Sequence, residues 1–190
     1  MHKLSHFQNG DWVAHSFAPV FAQETTDAGT ERIVAGVPGG DPTVFEQLVC
    51  GLELPCALLY VLHTPRGEGQ PGRYQSPELN SEQLRSFIER FGPYFSADAR
   101  FDIWAHSARE RTTVVWERHN LLYGYGAIDR FGSQLLAMGF HTGKAVIPSP
   151  HQHHYRSDWD TQAAAVLAEF NWSVSPLRAE DEQFATTDKK

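Results

Sequence analysis

FDIWAHS (residues 101–107), TTVVWERHNLLYGYG (112–126), IDRFGSQLLAMG (128–139) and KAVIPSPHQHHY (144–155) are the stretches that decide the fold. In the first, Phe101, Ile103 and Ala105 alternate with Asp102, Trp104 and His106, the period of a strand with one face more apolar than the other. The second is interrupted at Arg118-His119-Asn120. Asn tolerates the left-handed backbone region that a tight turn needs, so residues 112–125 read as two strands. Ile128, Phe131, Leu135 and Met138 form a helical stripe with Gly139 just past its end. Ala145–Ile147 reads as a strand, and Pro148 and Pro150 place it at an edge because they deny two ladder N–H groups.

Upstream, CALLYVL (56–62) is too short for an ordinary helix and reads as a central strand. Residues 64–77 read as an exposed loop carrying Arg66 and Arg73. Asn80 with Gln83 makes a capping box, Leu79 and Leu84 a staple, and Leu84, Phe87, Ile88 and Phe91 the buried stripe of a helix broken at Gly92-Pro93. Asp41 and Pro42 open a shorter helix whose face is Phe45, Leu48, Val49 and Leu52. A last helix follows Ser157 and Asp158.

The order from 56 to 155 is therefore strand, helix, two or three strands, helix, strand. It predicts a single α+β domain over residues 1–177. Its antiparallel or mixed sheet would have four to five strands in ferredoxin-like βαββαβ order, with extra flanking helices. Residues 41–177 carry the pattern, residues 1–40 read as an irregular N-terminal extension, and 178–190 as a disordered tail with only Phe184 to anchor it.

A chain of 190 residues with 41% hydrophobic content can bury a core without staples. Its formal net charge of −7 argues against nucleic acid as a partner. With no apolar run of membrane-spanning length and no leader-like N-terminus, the expectation is a cytoplasmic protein that does not enter membranes. Cys50 and Cys56 read as free thiols.

Six of the ten histidines lie between residues 101 and 155. In an extended segment His151 and His153 share a face and can ligate one divalent transition metal, zinc among them, with His106 or His119 completing the set. His63 is a further candidate ligand, and Asp102 and Glu117 are the candidate general bases. His2, His6, His15 and His141 read as ordinary side chains. Arg118, Asn120, Tyr123 and Tyr125 could line a cleft for a small anionic ligand. No HExxH, paired CxxC or Gly-x-Ser-x-Gly motif is present. The leading expectation is thus a noncatalytic domain that binds a protein partner, its own copy or a small ligand. The alternative is a histidine-ligated metal-dependent enzyme of hydrolase or lyase type.

Overall fold

In the computed structural model, which describes residues 2–181, nine strands make the main sheet. Their spatial order is β10 (His141–Thr142), β3 (Val20–Thr25), β4 (Glu31–Gly36), β9 (Leu121–Tyr125), β8 (Thr112–Trp116), β7 (Phe101–Ser107), β5 (Cys56–Leu62), β6 (Gly72–Gln75) and β12 (Ser173–Ser175). All neighbours pair antiparallel except β10 with β3. A second sheet has three strands, β11 (His151–His153), β1 (Leu4–Gln8) and β2 (Asp11–Ala14), also antiparallel.

This architecture overturns the ferredoxin-like expectation of four to five strands. The decisive element is β6, which lies inside the stretch read as loop. It turns the chain back on β5 before the following helix begins, so β5 and β7 pair antiparallel from Cys56–Ser107 to Leu62–Phe101. In a ferredoxin-like crossover those two strands would run parallel. Residues 1–40, read as irregular, supply four strands.

Four helices cover one face of the main sheet. In α1 (Pro42–Cys50) the Asp41 carboxylate accepts the Thr43 N–H at 2.9 Å. In α2 (Ser81–Ala97) Asn80 and Gln83 each accept the other's backbone N–H at 3.0 Å, completing the capping box. That helix does not stop at Gly92-Pro93 but runs four residues past Pro93. Tyr94 and Phe95 become fully buried in that last turn, and this packing outweighs the one backbone bond that proline removes. With α3 (Ile128–Ala137) and α4 (Asp160–Glu169) these helices close one core around Tyr60, Phe87, Phe95, Phe101, Trp116 and Phe131.

The opposite face is covered only in part. Phe17, Val34 and Leu121 form a small cluster there, with Tyr123, Ala145 and Ile147 against it. Residues 145–147 therefore lie across the sheet and do not form the predicted edge strand; the chain pairs next at His151–His153, beyond both prolines. Near the end of the described chain Asp181 is buried. It accepts from Arg73 at 2.5 Å and from the Arg178 N–H at 2.8 Å. The rest of the stretch read as a disordered tail, 182–190, lies outside the described residues.

Candidate metal centre

The three-stranded sheet is laid over one rim of the nine-stranded sheet, where β8 turns into β9. Lys3, just before β1, is fully buried with its Nζ 4.5 Å from the Trp116 ring. The Lys3 carbonyl extends the β1–β11 pairing by accepting the His154 N–H, and the His154 carbonyl ties this sheet to the main one by accepting the Ala99 N–H, both at 3.0 Å. Behind them, Arg100 is wholly buried and donates to Asp98 at 2.8 Å, while Asp98 also accepts the Arg156 N–H at 2.8 Å. This ion pair holds the chain where it leaves β11.

Within that junction His119 comes from the β8–β9 turn, and His151 and His153 come from alternate positions of β11. One ring nitrogen of each lies within 4.8 Å of the other two. The ring centroids are 5.1 Å apart for His119–His151, 4.5 Å for His119–His153 and 5.5 Å for His151–His153. An imidazole on a tetrahedral zinc has its nitrogen about 2.0–2.1 Å from the ion and its ring centre about 1.1 Å further on, so two such rings sit about 5.2 Å apart. The three separations bracket that value.

The outward-facing nitrogens are already engaged. Glu117 Oε2 faces His119 Nδ1 at 2.5 Å, and the Pro148 carbonyl is 2.9 Å from His151 Nδ1, leaving Nε2 of both rings free to ligate. His153 Nε2 is buried without a hydrogen-bond partner. Burial, followed by the charges of His119, Arg118 and His151, pushes His153 down to about 3, so its ring is neutral at ordinary pH. Neutral rings with one nitrogen held by a carboxylate or carbonyl are the form in which histidine binds metal.

The other expected site residues are distributed differently. His106 sits further along β7, exposed, with Nδ1 2.8 Å from the Thr113 hydroxyl, and is not among the three converging rings. His63 pairs instead with Asp102 at 2.8 Å. Burial opposes ionisation of Asp102, but the hydrogen bond and charge of His63, with Arg118 behind them, hold its carboxyl below the usual range. Its second oxygen accepts the Arg118 N–H at 2.9 Å. Glu117 is equally engaged, since Oε1 takes the N–H groups of His119 and Leu121 at 2.8 and 3.2 Å. Both carboxylates thus act as fixed acceptors that shape the turn.

The expected ligand cleft is divided between two environments. Asn120 is buried and accepts from the Trp116 indole at 3.2 Å, on the helix-covered side. Tyr123 and Tyr125 line an open groove of about 520 Å³ on the other face, with Arg32, Trp104, Thr113 and Val115. Arg118 reaches from the turn toward the carbonyl of Asp181, 3.3 Å away, and Asp181 also borders the groove.

Sequence reasoning missed Lys3, His6 and His15 around this junction. The signal was present: Asn9-Gly10 is the strongest short-range hairpin mark, and both residues have positive φ, 53° and 91°. Reading it would have paired β1 with β2 and put His6 on a strand. No family model, no curated protein and no solved structure matches the chain.

Proposed function

We propose that the protein is a metalloprotein, with a divalent transition metal held by His119, His151 and His153 in a metal-dependent enzyme of hydrolase or lyase type. The observation that carries this reading is the convergence of three ring nitrogens within 4.8 Å, two of the rings being oriented through their other nitrogen. Three neutral imidazoles leave the ion's double charge uncompensated and a coordination position open. A metal so held lowers the pKa of a bound water and polarises a carbonyl or phosphoryl oxygen. His151 is exposed, which keeps the site within reach of water and substrate. Glu117 serves as the positioning carboxylate of a carboxylate–histidine–metal arrangement.

The test is elemental analysis of protein purified without an affinity tag and reconstituted with zinc, beside a His151→Ala/His153→Ala variant. A tetrahedral three-histidine site predicts at least one metal per chain, with one equivalent fewer in the variant. A content below ~0.1 per chain after reconstitution would sink the reading.

A second reading, binding of a small ligand on the uncovered sheet face, is favoured by the groove beneath Trp104, Tyr123 and Tyr125. Its polar edge is set by Arg32, whose guanidinium lies 4.5 Å over the Tyr123 ring and donates to the Tyr125 hydroxyl at 3.1 Å. The aromatic walls suit a flat ligand. Because Asp102, Glu117, Glu180 and Asp181 also line the groove while Arg32 is paired with Glu24 at 2.8 Å, a neutral or cationic one fits better than an anion.

A further inference from the structure

The histidine array does not end at the three converging rings. His6 on β1 is the direct cross-strand partner of His151, so the two side chains project from the same face of the small sheet. His15 follows β2, and its N–H donates to the Leu4 carbonyl at 2.9 Å, which places it diagonally across from His6. The His6 and His15 ring centroids are 5.2 Å apart with the planes at 88°. This is the separation of about 5.2 Å that two imidazoles on one tetrahedral ion require.

Two nitrogens in this pair have no other use. His6 Nδ1 and His15 Nε2 are both buried and neither has a hydrogen-bond partner. Buried ring nitrogens are ordinarily satisfied, and two left open on neighbouring rings need an explanation.

We infer that His6 and His15 form a second metal position beside the first, taking the same class of divalent transition metal through His6 Nδ1 and His15 Nε2, with water completing its shell. Two protein ligands against three make it the weaker position. His151 cannot bridge the two ions while its Nδ1 is held by Pro148, so the positions are neighbours that share no ligand. The inference extends the proposed metal centre but can fail separately from it.

The experiment is titration of the metal-free full chain with Co²⁺ and Zn²⁺, following cobalt absorbance and binding heat. Wild type is expected to take two ions in two steps. A His6→Gln/His15→Gln variant should take one, at unchanged affinity, and a His151→Ala/His153→Ala variant should lose the tighter step and keep the weaker. A wild-type chain that takes one ion, lost on replacing His151 and His153, overturns the second position and leaves the first. If the single ion is instead lost only on replacing His6 and His15, the three-histidine reading fails. Should the glutamine variant not fold by circular dichroism, imidazole ¹⁵N spectra of the wild type decide. His6 Nδ1 and His15 Nε2 must shift with the second equivalent of Zn²⁺; unmoved signals overturn the inference.

Discussion

Glu117 and His119 are joined twice within two residues. The carboxylate takes the His119 backbone N–H on one oxygen at 2.8 Å and faces the ring Nδ1 with the other at 2.5 Å. The turn that positions the ring and the group that selects its tautomer are thus one side chain. Glu117→Gln should keep the backbone contact through its carbonyl but offer an amide N–H to Nδ1. Such a change in an outer-shell partner lowers metal affinity by about 10–100-fold. Calorimetric titration with zinc measures it, and an unchanged affinity would mean that Glu117 does not orient the ring.

Lys3 gives a pH dependence. Burial pushes its amine from 10.5 down to about 8, although Glu117, Asp102 and Asp98 pull the other way. Between about pH 8 and 10.5 the folded chain therefore binds fewer protons here than the unfolded one, and the contribution of Lys3 to stability rises with pH across that window. Below pH 8 both states carry the charge, and folding bears its full cost of about 3 kcal/mol, from about 1.4 kcal/mol per pKa unit. Lys3→Met should stabilise the protein at pH 7 and flatten the rise, as urea denaturation at pH 7, 8.5 and 10 would show. A Lys3→Met protein less stable than wild type at pH 7 contradicts this account.

Arg100 is expected to matter at a distance. Its guanidinium is wholly buried against Asp98 and Glu68, and Asp98 also anchors Arg156, just past β11. Arg100→Met leaves two buried carboxylates without their cation, a loss of about 3–5 kcal/mol. Because the same network fixes the exit of the strand bearing His151 and His153, zinc affinity should fall as well. A variant that loses stability but binds zinc as wild type does would separate the network from the site.

Phe87 tests the helix-covered core. It is 1% exposed and packs against Phe91, Phe95 and Phe170 at ring centroid distances of 5.0, 5.7 and 5.3 Å. Phe87→Ala should cost about 3–5 kcal/mol in chemical denaturation, the range for emptying a buried aromatic site. A cost under about 0.5 kcal/mol is what surface substitutions give and would be incompatible with this packing.

The helices were legible in the sequence because their signals are local. The Asn80–Gln83 box and the Leu84, Phe87, Ile88, Phe91 stripe are contained in a dozen residues. The sheet was not. β6 is four residues, GRYQ, inside a Gly- and Pro-rich stretch, too short to show a period, and it exists because β5 and β12 offer it edges on both sides. Likewise β11 is three residues whose partner is β1 at the other end of the chain. Alternate spacing pointed to His151 and His153. Which further histidine joins them depends on where the distant β8–β9 turn comes to rest, and no local pattern carries that.

The pairing of β1 with β11 also sets a timetable. Ser5 bonds His154 across 149 residues, so the histidine-bearing face cannot close on a nascent chain until nearly everything between has left the ribosome. The hairpins of the main sheet need no such wait, because β7, β8 and β9 follow one another directly. Contacts of such long sequence separation form late, after shorter loops have closed. If the proposed centre takes a metal, the ion would meet a largely finished sheet with its ligands still apart, and loading would fall at the end of maturation.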